Sequence, residues 1–193
     1  MALTYSVKKE LGKSAPDFRL KGVDGSWHSL ADYSSRKAIV VVFMCNHCPY
    51  IIAIQERLNV LAKEYQPRNA EVIGINSNDA KKYPDDDFRA MQIRAKEMGY
   101  VFPYLWDETQ TVAKAYDAVC TPDLYLFENE ALGHKVPDFK LRYHGRLDDN
   151  WKDPRSVKRR DLALALDAVL AGLPVPAEQI PSMGCSIKWK TYK

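Results

Sequence analysis

The hydrophobic positions of the chain alternate between short β-branched runs and longer segments with helical spacing. The runs Ala38 to Met44 and Glu71 to Asn76 are nearly continuous and rich in β-branched residues, which predicts two buried strands. After Pro49, apolar residues recur every three or four positions over Ile51 to Leu61, which predicts a helix soon after the first strand. Strands that alternate with helices favour an α/β sheet with helices on both faces.

Turn residues and helix boundaries predict the remaining elements. The Asp24-Gly25 turn between two short segments predicts an N-terminal β-hairpin. The acidic residues 85–87 and Gly99 are typical of the start and the end of a helix. The other predicted elements are two helices, Thr109 to Tyr116 and Arg160 to Leu170, and two paired strands, Leu124 to Phe127 and Lys140 to Tyr143.

Size and charge place limits on the class of protein. With 193 residues and 46% hydrophobic content, the chain has enough apolar material for one sizeable core. No shift in composition divides it, so we expect one domain over residues 1–174. Residues 175–193 contain prolines, a glycine and a basic aromatic end, which predicts an extended tail packed on that domain. The formal charge of +3 is spread along the chain and gives no reason to expect a nucleic-acid partner.

The start of the chain and its longest apolar run bear on location. Residues 1–18 mix charged and polar positions with single apolar ones and lack the apolar stretch of a secretory signal. The longest uncharged apolar run, Ala38 to Cys45, is far shorter than the roughly 20 residues that span a bilayer. We therefore expect no membrane partner and a cytoplasmic location.

The chemistry is expected at two closely spaced cysteines. Cys45 and Cys48 are separated by Asn46 and His47 and lie between the first long strand and the helix that follows it. Such a pair, in a chain too long to need a disulfide scaffold, points to redox or metal chemistry. Because a helix N terminus stabilises a thiolate, we expect Cys45 to attack and a more buried Cys48 to resolve. A charged His47 would favour the thiolate further.

Several segments, taken together with this cysteine pair, resemble one superfamily. The segment Val119-Cys120-Thr121-Pro122, which precedes a later strand, resembles the thioredoxin superfamily. The opening Gly12 to Phe18, the Asp24-Gly25 turn and the inserted segment Asn76 to Gly99 resemble its redoxin branch, which includes peroxiredoxins and thioredoxin-like thiol reductases. Three further segments resemble the peroxiredoxin-like thioredoxin-domain proteins of bacteria: Phe43 to Tyr50, Gly145 to Asp149 and Gly184 to Trp189.

This resemblance implies a fold, a reaction and a site. The fold would be thioredoxin-like, a central mixed β-sheet flanked by helices, with an N-terminal β-hairpin and a C-terminal tail. The reaction would be thiol–disulfide exchange with protein or small-molecule thiols and disulfides, without a cofactor or a metal. Pro122 would be cis and face the cysteines, and the backbone of Thr121 would bind an extended substrate segment. The residues expected to bind substrate or tune the thiols are Asn46, His47, Pro49, Thr121 and Pro122.

Two other functions are open at this stage. Peroxiredoxins have a proline seven residues and a threonine three residues before the peroxidatic cysteine, which aligns with Cys48. This chain has Val41 and Cys45 at those positions, so we expect peroxide reduction to be slow. The other alternative is a non-enzymatic module that binds a metal or a partner, because the four cysteines could close a zinc site. Structural zinc sites usually have two close-spaced pairs, and the single pair here favours redox chemistry.

Cys120 and Cys185 are candidates for additional redox residues. Cys120 lies two residues before Pro122, and Cys185 lies in the tail. We expect the tail to fold back over the active-site face and to bring Cys185 within reach of Cys120 or of the cysteine pair. The alternative is that each is a small buried hydrophobic residue, as most single cysteines are. No pattern in the sequence indicates an oligomeric state.

Overall fold

A mixed sheet of seven strands forms the centre of the computed structural model, which describes residues 3–191. In spatial order its strands are β3 (Trp27–Ser29), β2 (Arg19–Gly22), β6 (Tyr104–Trp106), β5 (Ala70–Asn76), β4 (Ala38–Phe43), β8 (Asp123–Asn129) and β9 (Phe139–Gly145). Strand β4 pairs in parallel with β5 and antiparallel with β8. The antiparallel pairs β2–β3 and β8–β9 are the two predicted strand pairs, and the sheet confirms the predicted α/β class.

A second, small antiparallel sheet lies outside the central one. Its order is β1 (Leu3–Tyr5), β10 (Met183–Ser186) and β7 (Cys120–Thr121), so the tail joins the start of the chain to the segment before Pro122. The sequence predicts an extended tail but none of these strands, because two to four residues are too few to show a period. The last tail residues, Tyr192 and Lys193, lie outside the described range.

Residues 3–191 contain four α-helices: α1 (Pro49–Tyr65), α2 (Phe88–Met98), α3 (Thr111–Ala115) and α4 (Asp161–Ala171). Both ends of α2 agree with the prediction. Asp87 accepts a hydrogen bond from the N–H of Ala90 at the start, and Gly99 ends the helix at φ 57°. Helix α3 is shorter than predicted because Gln110 adopts a left-handed conformation at φ 62° and delays its start. None of these helices is long and apolar enough to cross a membrane.

The two faces of β4 enter two separate cores. Val40 and Val42 pack into the cluster that contains the apolar residues of α1 and α4, whereas Ile39 and Val41 pack into the cluster of α3. Burial on both faces explains why β4 is a continuous apolar run rather than an alternating one. Burying each such side chain stabilises the fold by about 1.5–3 kcal/mol. The chain leaves this rigid strand at Phe43, which fixes the position of the cysteine pair.

Candidate active site

The cysteine pair lies in the turn between β4 and α1. Helix α1 begins at Pro49, and Cys48 is its N-cap residue with extended backbone angles of φ −72° and ψ 121°. A residue before proline is held in this extended region, so the helix cannot begin earlier, and Pro49 is well suited to a first helical position. The expectation that the helix N terminus acts on Cys45 is therefore wrong. The helix N terminus lies at Cys48, and Cys45 precedes it.

The two sulfurs contact each other and Thr121. The thiols of Cys45 and Cys48 are hydrogen-bonded, and the N–H of Ile51 donates to Cys48 Sγ. Cys45 Sγ lies 3.5 Å from Thr121 Oγ1, and Cys48 Sγ lies 3.1 Å from the Thr121 carbonyl oxygen. The peptide bond from Thr121 to Pro122 is cis. The structure thus brings the two cysteines, Thr121 and Pro122 together, as the resemblance implies.

These contacts separate the acidities of the two thiols. The pKa of Cys48 is lowered to about 5, against the effect of burial. The largest cause is the hydrogen bond from Cys45, and hydrogen bonds from the Thr121 hydroxyl and the Ile51 N–H add to it. The hydrogen bond to Cys48, burial and the charge of Asp86 hold the pKa of Cys45 well above its usual range. The Thr121 carbonyl accepts only from a protonated Cys48 and opposes the shift. The donors outweigh this one acceptor, and the Cys185 thiol is a fourth donor beside the three above. The helix N terminus therefore favours a thiolate on Cys48, whereas we expected it on Cys45.

Burial does not distinguish the two cysteines. Cys45 is 1% exposed and Cys48 is 0% exposed, so the expectation of a more accessible Cys45 is not met. Pro49 is exposed on the helix start, and Pro122 is buried. The backbone of Thr121, expected to bind an extended substrate, is already paired with Cys185 of β10. A substrate must therefore reach the sulfurs through a local opening of their surroundings.

Asp86 is a site residue that the sequence analysis missed. Its carboxylate is fully buried and accepts hydrogen bonds of 2.7 Å from the backbone N–H of Asn46 and from Asn78 Nδ2. The acidic residues 85–87 were interpreted only as a helix start, although Asp87 alone serves as the N-cap of α2. One acidic residue is sufficient to cap a helix, so the run of three was the signal that another of them has a different role.

Asn46 holds the cysteine turn in place rather than facing a substrate. It is 5% exposed, and its side-chain Nδ2 donates to the carbonyl oxygen of Asp85 at 2.7 Å. Its Oδ1 accepts a hydrogen bond of 3.1 Å from the hydroxyl of Tyr104 on β6. With the bond to Asp86, these contacts anchor the turn to two other parts of the chain.

His47 stands between Asp86 and the surface. Its Nδ1 lies 2.6 Å from Asp86 Oδ2, and its ring stacks on Tyr83 at a centroid distance of 5.3 Å. The contact with Asp86 raises the pKa of His47, against the effect of burial, and the charge of Cys48 adds to the rise. Within residues 3–191, His47 Nε2 is buried and has no hydrogen-bond partner. A protonated His47 places a positive charge in the field of the Cys48 thiolate.

The same residues include a potential set of metal ligands. Ligand atoms of Cys45, His47 and Asp86 all lie within 4.8 Å of one another. Sulfur, imidazole nitrogen and carboxylate oxygen are all ligands that zinc accepts. The carboxylate of Asp86 already accepts two hydrogen bonds, which reduces its availability to a metal.

The other two cysteines are both buried and lie on neighbouring strands. Cys185 is opposite Thr121, and its thiol is hydrogen-bonded to that of Cys48. Cys120 is opposite Ser186, and its Sγ lies 3.5 Å from the carbonyl oxygen of Pro122. Burial raises the pKa of Cys120, and burial followed by the contact with Cys48 raises the pKa of Cys185 to about 11.

Comparison with known proteins places this site in a family. Residues 11–131, which include the cysteine pair and Pro122, match the AhpC/TSA family. The chain belongs to this family. Solved structures of thioredoxin-like proteins that are 18–21% identical to the chain superpose with TM-scores of 0.57–0.59, which shows that this AhpC/TSA protein has a thioredoxin-like fold.

Individual relatives carry two kinds of name. Two proteins named putative peroxiredoxin bcp, from strains of Helicobacter pylori, are similar to the chain. One is 33% identical over 76 residues, which cover 39% of this chain and 50% of that protein. The other is 28% identical over 141 residues, which cover 73% of this chain and 86% of that protein. The thiol-disulfide oxidoreductase ResA of Geobacillus thermodenitrificans is 25% identical, covering 69% of this chain and 72% of that protein. An uncharacterised conserved protein of Geobacillus kaustophilus has a crystal structure with a TM-score of 0.90 and 46% identity, covering 100% of this chain and 99% of that one.

Proposed function

We propose that this AhpC/TSA protein is a thiol–disulfide oxidoreductase that uses Cys45 and Cys48 as its dithiol. The observation that carries the proposal is that both sulfurs contact the same residue, Thr121, at 3.5 Å and 3.1 Å, with Cys48 at the N terminus of α1. A nucleophilic thiolate and a neighbouring thiol that can displace it are the two groups that disulfide exchange requires. The name of the ResA relative supports the same class of reaction.

The reaction can be written with the residues in these positions. The Cys48 thiolate attacks one sulfur of a substrate disulfide, whose other sulfur leaves as a thiolate and takes up a proton. Cys45 then gives up its proton and attacks Cys48 Sγ, which releases the second substrate thiol. Two electrons pass from the dithiol to the substrate, and a disulfide between Cys45 and Cys48 remains. Two reducing thiols, which become a disulfide, return the protein to its starting state by the reverse steps.

Protein and small-molecule disulfides are both candidate substrates, since the sulfurs rather than a specific pocket carry the proposal. Positioning residues support the chemistry: Asp86 and Asn46 fix the turn, and the Thr121 hydroxyl contacts Cys45. A protonated His47 contributes positive charge near the thiolate. We propose no cofactor for this reaction, because the dithiol itself carries the electrons.

Peroxide reduction is a second candidate. The low pKa of Cys48 favours it, since a thiolate at neutral pH is what attacks a peroxide, and the Helicobacter pylori relatives are named putative peroxiredoxins. Against it, Val41 and Cys45 stand where peroxiredoxins have proline and threonine. We therefore propose disulfide exchange as the main activity.

Side-by-side rate measurements test the proposal. The reduced protein is mixed with glutathione disulfide in one series and with hydrogen peroxide in another, and the loss of thiols is followed. We expect faster exchange with the disulfide, and we expect it to be lost in Cys48→Ser. The double variant Cys45→Ser/Cys185→Ser, which removes both thiols next to Cys48, should stop at a mixed disulfide. Fast peroxide reduction that survives Cys45→Ser but not Cys48→Ser would favour a peroxidase instead.

A further inference from the structure

Three thiols meet on one face of the small sheet. Strand β10 pairs antiparallel with β7, and Cys185 lies directly opposite Thr121. Residues directly opposite each other in an antiparallel pair project to the same face. The side chain of Thr121 contacts Cys45 on that face, so Cys185 also faces the cysteine pair. Its thiol is hydrogen-bonded to that of Cys48, and Cys45, Cys48 and Cys185 belong to one buried cluster.

Cys120 provides a contrast on the same strand. It is the neighbour of Thr121 and pairs with Ser186, and successive strand residues project to opposite faces. Its Sγ accordingly lies 3.5 Å from the carbonyl oxygen of Pro122, on the face opposite to the side chain of Thr121. The pleat of the sheet therefore selects Cys185 and excludes Cys120 as a partner for Cys48.

Gly184 permits the close approach that brings Cys185 into contact. A Cβ atom at this position would lie 2.0 Å from the carbonyl oxygen of Thr121 and 2.5 Å from its carbonyl carbon. Both are backbone atoms, which cannot move aside as a flexible side chain can. Since the same carbonyl oxygen contacts Cys48 Sγ, any larger residue at position 184 would push Cys185 away from Cys48.

We propose that Cys185 is a third redox thiol. It attacks the disulfide between Cys45 and Cys48 and replaces it with a disulfide between Cys185 and Cys48. This proposal rests on the proposed function, since disulfide exchange with a substrate supplies the first oxidised state. It adds an internal step between residues that are already in contact in the folded protein. The tail is then part of the redox machinery and not only a cover for apolar surface.

The internal step is balanced without any further oxidant. Cys185 gives up its proton and attacks Cys48 Sγ, a bond forms between these two sulfurs, and the bond between Cys48 and Cys45 breaks. Cys45 leaves as a thiolate and takes up a proton, so that one thiol and one disulfide are present before and after the step. In the same way, Cys185 can displace a substrate thiol from Cys48. The oxidised protein is therefore a mixture of two disulfides that share Cys48.

Peptide mapping of Cys45→Ser tests the proposal, because trypsin separates the relevant cysteines. Each of the three remaining cysteines lies in its own tryptic peptide. Peptide 38–57 carries Cys48, peptide 115–135 carries Cys120 and peptide 161–188 carries Cys185. We treat the variant with one equivalent of 5,5′-dithiobis(2-nitrobenzoate). We expect about two thionitrobenzoate ions per chain and a disulfide between peptides 38–57 and 161–188. Adding Cys120→Ser should change nothing, whereas adding Cys185→Ser should leave one ion per chain and a labelled peptide 38–57.

A second variant changes the position of Cys185 without removing its thiol. In the Cys45→Ser background, Gly184→Ala should lower the yield of linked peptides by about tenfold or more, because a bridge requires matched Cα positions. Ser186→Ala, on the opposite face of the same strand, is the matched control and should leave the yield unchanged. If Cys45→Ser does not fold, the link between peptides 38–57 and 161–188 is sought in oxidised wild-type protein instead.

The outcomes separate this inference from the proposed function. If wild-type protein exchanges with a model disulfide but peptides 38–57 and 161–188 never become linked, Cys185 is only a buried residue and the third-thiol proposal is wrong. A link between peptides 38–57 and 115–135 would overturn the choice of Cys185 over Cys120. If wild-type protein fails to exchange with any disulfide, the proposed function itself is wrong.

Discussion

Cys48, and not Cys45, is the N-cap residue of α1 and directly precedes Pro49. This relationship assigns the positive end of α1 to the second cysteine of the pair, because Pro49 prevents the helix from beginning earlier. Cys45 then acts as a donor to the neighbouring sulfur. The order of attack proposed here follows from that position and from the lowered pKa of Cys48.

The first prediction concerns the acidity of Cys48. In reduced wild-type protein, alkylation of Cys48 by iodoacetamide should persist as the pH falls and be lost near pH 5, because its pKa is lowered to about 5. Cys45→Ala removes the hydrogen bond that contributes most, so the midpoint should rise towards that of a free cysteine, at about 8.5. Cys45→Ser keeps a donor and should lie between the two. Modification of Cys45 before Cys48 in the wild type would reverse our assignment.

The second prediction concerns Asp86. Asp86→Asn should lower the free energy of unfolding by about 1–3 kcal/mol, since its buried carboxylate satisfies Asn46 and Asn78. It should also lower the pKa of His47, which Asp86 raises, as measured by NMR titration of the imidazole protons. Asp85→Asn is the matched control, because that side chain is exposed and only its backbone contacts Asn46. Equal effects of the two variants would contradict the role given to Asp86.

The raised pKa of His47 also predicts the direction of a pH effect on stability. A histidine whose pKa is higher in the folded protein than in the unfolded chain stabilises the fold fully below its unfolded value. That stabilisation is lost as the pH rises through the folded value. The lowered pKa of Cys48 changes stability in the opposite direction over this pH range, so the comparison is made in a Cys48→Ser background. There, denaturation curves from pH 5 to pH 8 should show a loss that is smaller when Asp86→Asn is added. A larger loss in the variant would show that another group is responsible.

The third prediction separates the hydroxyl of Thr121 from its backbone. The hydroxyl lowers the pKa of both cysteines. Thr121→Val should therefore raise the pKa of Cys48 and slow its alkylation at pH 5–6. We expect a severalfold decrease in rate, because one hydrogen bond contributes about 1 kcal/mol. Thr121→Ser retains the hydroxyl and should react like the wild type. If the valine and serine variants react equally, the hydroxyl has no part in tuning the thiols.

The fourth prediction distinguishes support of the fold from tuning of the site. Asp123 directly follows Pro122, is fully buried, and lies 2.6 Å from His144 Nε2 and 3.0 Å from the hydroxyl of Tyr125. Asp123→Asn should lower the free energy of unfolding by about 1–3 kcal/mol, measured by urea denaturation. The pH midpoint for alkylation of Cys48 should not move, because the partners of its sulfur within residues 3–191 are Thr121, Cys45, Ile51 and Cys185 and not Asp123. A shift of that midpoint would link Asp123 to the chemistry.

Much of the fold follows from the sequence because its signals are local. The apolar run of β4, the spacing in α1 and the caps of α2 each reflect one element, and the structure confirms those elements. Strands β1, β7 and β10 carry no such signal, since their pairing depends on contacts between distant parts of the chain. The division into residues 1–174 and a tail, and the cytoplasmic location, stay predictions.

The site was only partly predictable for a related reason. The spacing of Cys45 and Cys48 and the segment before Pro122 identified the residues that meet, but not which sulfur receives the helix N–H. That detail depends on the backbone at Pro49. Asp86 comes from a distant turn, and no local pattern shows that its side chain is buried.

A redox titration tests the central claim most directly. Wild-type protein is equilibrated in buffers with graded ratios of reduced to oxidised dithiothreitol or glutathione, and free thiols are then alkylated and mapped. The account predicts a reversible two-electron transition in which Cys48 loses its alkylation site together with that of Cys45 or Cys185. The potential should lie above about −270 mV, the value for thioredoxin, because the Cys48 thiolate stabilises the reduced state. Cysteines that stay reduced throughout the series, or that are protected by zinc and become free only when the metal is removed, would contradict it.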